Sequence, residues 1–195
     1  MNKGFLISAG LLVLVACAQS APKEPSMLTV RAGVNILFSG DAKDFTKSSG
    51  LSLGAGYDLT SKGFLSPLSK PSIDFDWSSN VGNGNRLTVY GLTYTERVPF
   101  SMGDSKADKA GFVPYGGLGV GVAYSDLDAT KLVSLGGSGG SVRVGVGSKK
   151  INFGGRVILG AMFQERFSVE AAYHLNGSND GARTDSFTVM LGVKF

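Results

Sequence analysis

The sequence predicts an all-β fold, an eight-stranded antiparallel up-and-down transmembrane β-barrel, and three observations predict it. Segment after segment alternates apolar with polar or small residues, the period of two that gives a strand two unlike faces. Clusters of Gly, Asn, Asp and Pro separate those segments and read as turns. The face opposite the apolar one carries both signs of charge and many glycines, as expected where the polar face lines a lumen and the apolar face meets lipid. Glycine makes up 29 of 195 residues, about twice the usual share of roughly 7%, with no collagen period.

The chain opens on a leader. Lys3 precedes the apolar run Phe5 to Val15, and Ala16, Cys17 and Ala18 follow it. That is a secretory signal peptide over residues 1–18, too short to span a bilayer as a helix. Ala16-Cys17-Ala18 fits cleavage after Ala18, with Gln19 as the first mature residue. Leu14-Val15-Ala16-Cys17 resembles a lipobox instead, in which Cys17 is lipidated and becomes that first residue. Simple cleavage is preferred, because a barrel already in the membrane gains little from a lipid anchor. Cys17 is the only cysteine, so a chain cleaved after Ala18 forms no disulfide and relies on a closed hydrogen-bond ladder and lipid. Residues 19–26, polar and with two prolines, form a flexible lead-in to one barrel domain, 27–195.

The strands then follow in order. Met27 to Ser39 sets Leu28, Val30, Ala32, Val34, Ile36 and Phe38 against Thr29, Arg31, Gly33 and Asn35. After residues 40–50, Leu51, Leu53, Ala55, Tyr57 and Leu59 oppose Ser52, Gly54, Gly56 and Asp58. A turn over 61–70, broken by Pro67, leads to Ile73, Phe75 and Trp77 against Asp74, Asp76 and Ser78, and Asn80 to Asn85 is the next turn. In the fourth strand, Arg86 to Val98, Tyr90, Leu92 and Tyr94 share one face, yet Leu87 and Val89 have the opposite parity. A bulge or slip near Val89 is expected, and it leaves Glu96 and Arg97 without an assigned side. The fifth strand, Val113 to Ser125, sets Leu118, Val120, Val122 and Tyr124 against Gly117, Gly119, Gly121 and Ala123, which implies crowding on the glycine side. Asp126 to Lys150 is the longest connection, with glycines from Gly136 to Gly140 and a short extension at Val142 to Val146. The sixth strand (Phe153 to Phe163) places Arg156 opposite the apolar residues. A tight turn at Glu165-Arg166 leads to the seventh (Phe167 to Leu175), with Glu170 and His174 on its polar face. The eighth, Ser186 to Phe195, sets Phe187, Val189, Leu191, Val193 and Phe195 against Thr188, Met190, Gly192 and Lys194. Each strand, at roughly 9–13 residues, is long enough to cross a bilayer when tilted by about 45°.

An alternating last strand that ends on Phe195 resembles the terminal strand of bacterial outer-membrane β-barrel proteins, in which the last residue is part of the signal read by the barrel-insertion machinery. With the leader, the alternating strands, Pro114-Tyr115-Gly116-Gly117-Leu118-Gly119-Val120-Gly121 and Phe167-Ser168-Val169-Glu170-Ala171-Ala172-Tyr173, the chain from Met27 to Phe195 resembles the small eight-stranded OmpA/OmpX-like barrels. The resemblance implies residence in the cell outer membrane, outer-membrane lipids and the insertion machinery as partners, and no cofactor. It specifies architecture well and function poorly. With the amino terminus periplasmic, residues 40–50, 80–85, 126–150 and 177–185 face outward.

A soluble lipocalin-like barrel has the same alternation with the apolar face inward. The mixed charges of the polar face, and aromatics such as Phe38, Tyr57, Trp77, Tyr124, Phe163 and Phe195 near strand ends, favour the membrane reading. The lumen then receives Arg31, Asp58, Asp74, Asp76, Arg156, Glu170, His174 and Lys194. In a barrel this narrow they are expected to pair as a salt-bridged plug; the alternative is a narrow gated ion path in which Arg31 or Arg156 exchanges partners among Asp74, Asp76 and Glu170. An enzymatic reading is weak. Lipid A deacylases of this type carry His-x-Ser and a later Glu, whereas here Asn176 holds the serine position and no glutamate follows His174. One histidine and scattered carboxylates suggest no metal site and no catalytic residue. A net charge of +4, with no basic cluster longer than Lys149-Lys150, excludes a nucleic-acid partner. The reading is a structural or surface-interaction protein, any extracellular ligand being bound through 126–150. There Lys131, Arg143, Lys149 and Lys150 outnumber Asp126 and Asp128 and favour anionic headgroups or sugars.

Overall fold

The alternation is realised as a closed ladder. The computed structural model describes residues 27–38, 46, 48–82, 84–100, 111–135, 140–179 and 182–195, with the backbone alone for 130–135, 140–144, 146 and 182. The leader, Cys17 and the lead-in 19–26 lie outside the described residues. Eight long strands follow one another: β1 (Leu28–Leu37), β2 (Ser49–Asp58), β3 (Lys70–Gly82), β4 (Asn85–Pro99), β5 (Phe112–Leu135), β6 (Gly140–Phe163), β7 (Phe167–Leu175) and β10 (Ser186–Lys194). Between β7 and β10 lies a two-stranded pair, β8 (Ser178–Asn179) and β9 (Ala182–Arg183). Each long strand pairs antiparallel with its neighbours in sequence, and β1 closes on β10 from Thr29 opposite Lys194 to Leu37 opposite Ser186. The result is an up-and-down barrel without a free edge, the form in which a sheet satisfies its backbone groups in a bilayer. Phe195 donates its N–H to the Leu28 carbonyl at 2.8 Å, so the last residue sits on the closing seam. The rim where β1 begins and β10 ends is called the near rim below, and the opposite one the far rim.

The two faces are sorted by parity. Leu53, Tyr57, Phe75, Leu92, Val120 and Leu159 point outward and are exposed, whereas Arg31, Asp74, Arg156 and Glu170 point inward and are buried. This is the reverse of a soluble barrel, and it removes the lipocalin-like alternative. Outward aromatics gather in groups: Phe38 with Tyr173 and Phe187 toward the far rim, and Phe112 with Phe163 at the near rim, as in interfacial girdles.

Two expectations are corrected. No bulge interrupts β4: its register with β3 runs unbroken from Lys70 opposite Arg97 to Gly82 opposite Asn85, and with β5 from Arg86 opposite Asp128 to Pro99 opposite Tyr115. Leu87 and Val89 simply face inward, because the far end of the lumen is apolar. There they pack with Leu37, Ala123, Leu127 and Ala129 into a buried cluster. The apparent change of parity is a change in what the lumen contains. Second, 126–150 is strand over most of its length. β5 and β6 keep pairing from Asp126 opposite Lys149 to Leu135 opposite Gly140, and past Asp128, the last β5 residue paired with β4, they form an arm about 20 Å long at ~3.3 Å per residue. Leu127 and Ala129 at its base still face the far-end cluster; farther out a two-stranded ribbon has no core-facing side, so its sequence needs no apolar alternation, and Gly145 and Gly147 have open space around them.

The turns are short where the sequence signals them. Gly84 at φ +78° lets β3 reverse into β4 directly between Gly82 and Asn85. Between β6 and β7 the reversal falls on Gln164 and Glu165, both in the left-handed region, one residue earlier than expected, with Arg166 N–H donating to the Phe163 carbonyl at 3.1 Å.

Leu87→Ala tests the unbroken register. Removing a fully buried side chain from the far-end cluster is expected to lower stability by about 2–5 kcal/mol, read as a shift of the urea midpoint of the vesicle-embedded barrel. A bulge at Val89 would put Leu87 on the lipid face and leave the midpoint almost unmoved.

Candidate functional site

Inward parity brings charges from five strands into one layer of the lumen. Asp74 on β3 lies at its centre. Its Oδ1 accepts from Arg31 Nη2 on β1 at 2.7 Å, and its Oδ2 accepts from Arg97 Nη1 on β4 at 3.1 Å, from Ser72 Oγ at 3.1 Å and from Arg156 Nη2 on β6. Arg156 also donates to Asp76 at 2.5 Å and, through Nε, to Thr95 Oγ1 at 3.0 Å. Glu170 on β7 accepts from Arg97 Nε at 3.0 Å and from the Tyr115 hydroxyl at 3.2 Å, and Arg31 Nη1 stands 3.8 Å from it. Three guanidiniums therefore face three carboxylates. Each charge taken out of water has opposite charges against it, the condition under which burial of ions is tolerated.

The other inward residues named from the sequence lie outside this layer. Lys194 donates to Asp58 at 2.6 Å as a separate, half-buried pair at the near rim. His174 sits on the far side of the layer, its Nε2 3.0 Å from Thr188 Oγ1, while the Asn176 amide donates to the Thr184 carbonyl at 3.1 Å. No carboxylate is hydrogen-bonded to His174 and no serine takes its ring nitrogen, so the base–nucleophile geometry of acyl-transfer sites is missing among the described residues. Nor do three or more His, Cys, Asp or Glu side chains converge there as metal ligands. Arg97, which received no side from the sequence, is a full member of the charged layer. Its parity matches Thr93 and Thr95, a signal masked by the inward Leu87 and Val89. Glu96 has the opposite parity and lies on the outer wall.

The glycines of the inner face explain how so narrow a lumen holds three guanidiniums. A Cβ on Gly119 would come within 2.9 Å of both Arg156 Cγ and Thr95 Oγ1. One on Gly56 would collide with Asp74 Oδ1, and one on Gly160 would meet the Tyr115 ring at 2.6 Å. Of the alternating glycines of the fifth strand, Gly119 is thus crowded by Arg156 and Thr95, whereas a Cβ on Gly117 or Gly121 would first meet the β4 backbone, at the Glu96 and Leu92 carbonyls.

Comparison with known proteins agrees with the barrel fold. The family model described as "Outer membrane protein beta-barrel domain" matches residues 8–195. Among solved structures, the chain is similar to Neisserial surface protein A, with 18% identity and a TM-score of 0.55, covering 87% of this chain and 96% of that one. It is also similar to Ail, the attachment invasion locus protein of Yersinia pestis, solved with the heparin analogue sucrose octasulfate (12% identity, TM-score 0.49, 88% and 100% covered). A third similar structure is the outer membrane enzyme PagL (20% identity, TM-score 0.44, 86% and 98% covered). No curated protein sequence matches it.

Two substitutions probe the charged layer. Arg156→Met leaves Asp76 with only the longer Arg31 contact, at 3.9 Å, and Asp74 with one cation fewer, and is expected to cost about 3–5 kcal/mol. Gly119→Ala keeps every charge but takes the space Arg156 occupies, and is expected to cost about 1–3 kcal/mol. Urea titration of the reconstituted barrel measures both, and unchanged midpoints would mean that the layer contributes nothing to stability.

Proposed function

The chain belongs to the outer membrane protein β-barrel domain family and resides in the cell outer membrane, and on that premise we propose that it acts as a closed, non-enzymatic barrel that presents a binding arm at the cell surface. The observation that carries this reading is the β5–β6 ribbon, which continues in paired register from Asp126 opposite Lys149 to Leu135 opposite Gly140. A rigid scaffold with one long projection is the usual arrangement for recognition. In small barrels the longest projections lie outside, so the long β5–β6 arm puts the far rim outside and the near rim in the periplasm. Phe195, hydrogen-bonded to Leu28 on the closing seam, is then placed to serve as the periplasmic insertion signal.

The chemistry at the base of the arm favours anionic partners. Lys149 and Lys150 are exposed there; Lys149 makes only a long pair with Asp126, at 3.9 Å, and Arg86 a similar one with Asp128, at 3.9 Å. Such solvent-exposed pairs are weak and readily give way to a ligand of higher charge. Anionic sugars of the surface layer are the class proposed. The charged layer of the lumen acts as a rigidifying plug, and the reading as a non-enzyme is supported by the inward setting of His174, whose ring nitrogen meets Thr188 and no carboxylate.

An ion path is the second reading. It is supported by one observation: Arg31 has Asp74 at 2.7 Å, Glu170 at 3.8 Å and Asp76 at 3.9 Å within reach, so partner exchange needs little movement.

In a planar lipid bilayer the folded protein, identified by its different gel migration before and after boiling, is expected to be electrically silent. Discrete conductance steps that change with Asp74→Asn would make the ion path primary. Replacing residues 131–144 by an Asn-Gly turn, with Lys149→Gln and Lys150→Gln, is expected to preserve the barrel, since Leu127 and Ala129 stay in the far-end cluster, and to abolish salt-sensitive binding of an anionic polysaccharide to the barrel in zwitterionic nanodiscs. Equal binding by this variant would sink the arm and its base as the binding element.

A further inference from the structure

Glu96 lies where a carboxylate is costly. Its parity is that of Tyr90, Leu92 and Tyr94, the outward side of β4, and its pairing partners are Pro71 and Leu118. One step farther from the near rim the same row reads Ile73, Tyr94 and Val120, all exposed and apolar or aromatic. A bare charge there would sit at the edge of the lipid-facing belt. Yet Glu96 is only 2% exposed, because the segment between β2 and β3 folds back over it. Oε1 accepts from Phe64 N–H at 2.6 Å and from the Tyr94 hydroxyl at 2.7 Å; Oε2 accepts from Leu65 N–H at 2.7 Å and from Ser69 Oγ at 2.9 Å. Gly63 makes the approach close, since a Cβ there would collide with Ser69 Oγ and lie 2.8 Å from Glu96 Oε2.

The clasp exchanges a charge for an apolar surface. With their N–H groups held by the carboxylate, Phe64 is 92% and Leu65 49% exposed, and Leu68, its own N–H donated to Ser66 Oγ at 3.2 Å, is 64% exposed. Ser69 N–H closes on the Ser66 carbonyl at 2.9 Å, so backbone groups here are paired within the segment, as backbone that meets hydrocarbon requires. Phe100 adds to the same side. Its ring lies over Gly116, the β5 partner of Val98, two residues from Glu96. Lys62 and Lys70 flank the segment and are exposed, able to reach phosphate headgroups.

We propose that residues 63–69, buttoned to the outer wall by Glu96, form an interfacial foot that inserts Phe64, Leu65 and Leu68 among the acyl chains of the leaflet at the near rim. Continuity with the lipid-facing row of Ile73, Tyr94 and Val120 identifies the occupant as phospholipid. The foot extends the apolar belt on this side of the barrel by one folded-back segment.

The test uses Phe64→Trp in a Trp77→Phe background, refolded into phosphatidylcholine vesicles, with folding checked by heat-dependent gel migration. Emission is expected to be blue-shifted and to be quenched by phospholipids brominated near the headgroup end of the acyl chain more than by those brominated near the methyl end. Adding Glu96→Ala is expected to shift emission toward that of water-exposed tryptophan and to remove the quenching while the barrel stays folded. Tyr94→Phe, which removes one of the four bonds, is expected to act in the same direction with a smaller loss. A folded Phe64→Trp barrel with water-like, unquenched emission would overturn the proposal and point to a periplasmic protein as the occupant of the patch. Quenching that persists unchanged without Glu96 would overturn the role of the clasp.

Discussion

Asp74 is the fixed point of the interior. Its two oxygens are shared by Arg31, Arg97 and Arg156, which come from three different strands, and the second carboxylates those arginines need are supplied by Asp76 and Glu170. A narrow barrel cannot hold three guanidiniums and three carboxylates around ordinary side chains. Glycine on the facing strands at Gly56 and Gly119 makes the room. Charge and space are therefore one constraint: the glycines have no purpose without the arginines, and the arginines have nowhere to lie without the glycines.

That layer divides the lumen. Toward the far rim the interior turns apolar, with Leu37, Leu87 and Val89 packed together, and beyond it the paired strands of β5 and β6 leave the barrel as a ribbon. Toward the near rim Asp58 and Lys194 form their own pair. An apolar layer stacked on a charge-neutral one gives an ion two different barriers, desolvation in the first and displacement of a bound partner in the second. This is why the proposed function is sought on the outside of the barrel, and why partner exchange around Arg31 is the only route by which the lumen could compete with it.

What the sequence could reveal followed from parity. A strand with unlike faces declares its inward residues, so Arg31, Asp74, Asp76, Arg156 and Glu170 were legible as one side of a sheet, and the closed barrel then brings that side together. Parity failed where the environment along a strand changes. In β4 the inward face passes from Leu87 and Val89 through Gly91 and Thr93 to Arg97, so a polar–apolar rule sees a slip where the backbone is regular, and Arg97 was lost with it. The arm was illegible for a related reason, since a ribbon with solvent on both sides imprints no pattern. Which cation meets which carboxylate was out of reach altogether, because it depends on the shear of the closed sheet and not on any one strand.

Glu96 shows the limit of reading a face from one strand. By parity it belongs to the lipid, by charge to the lumen, and by contact to neither, because the Phe64 and Leu65 amides, distant in the chain, enclose it. The barrel wall alone cannot rationalise a carboxylate at that position; wall and turn together can. A carboxylate accepting four hydrogen bonds holds the turn flat against the sheet, and once held, the turn shows Phe64, Leu65, Pro67 and Leu68 outward. An exposed apolar surface of this kind is unfavourable in water and favourable beside lipid. The same charge that would weaken the belt if bare thus becomes the means of lengthening it.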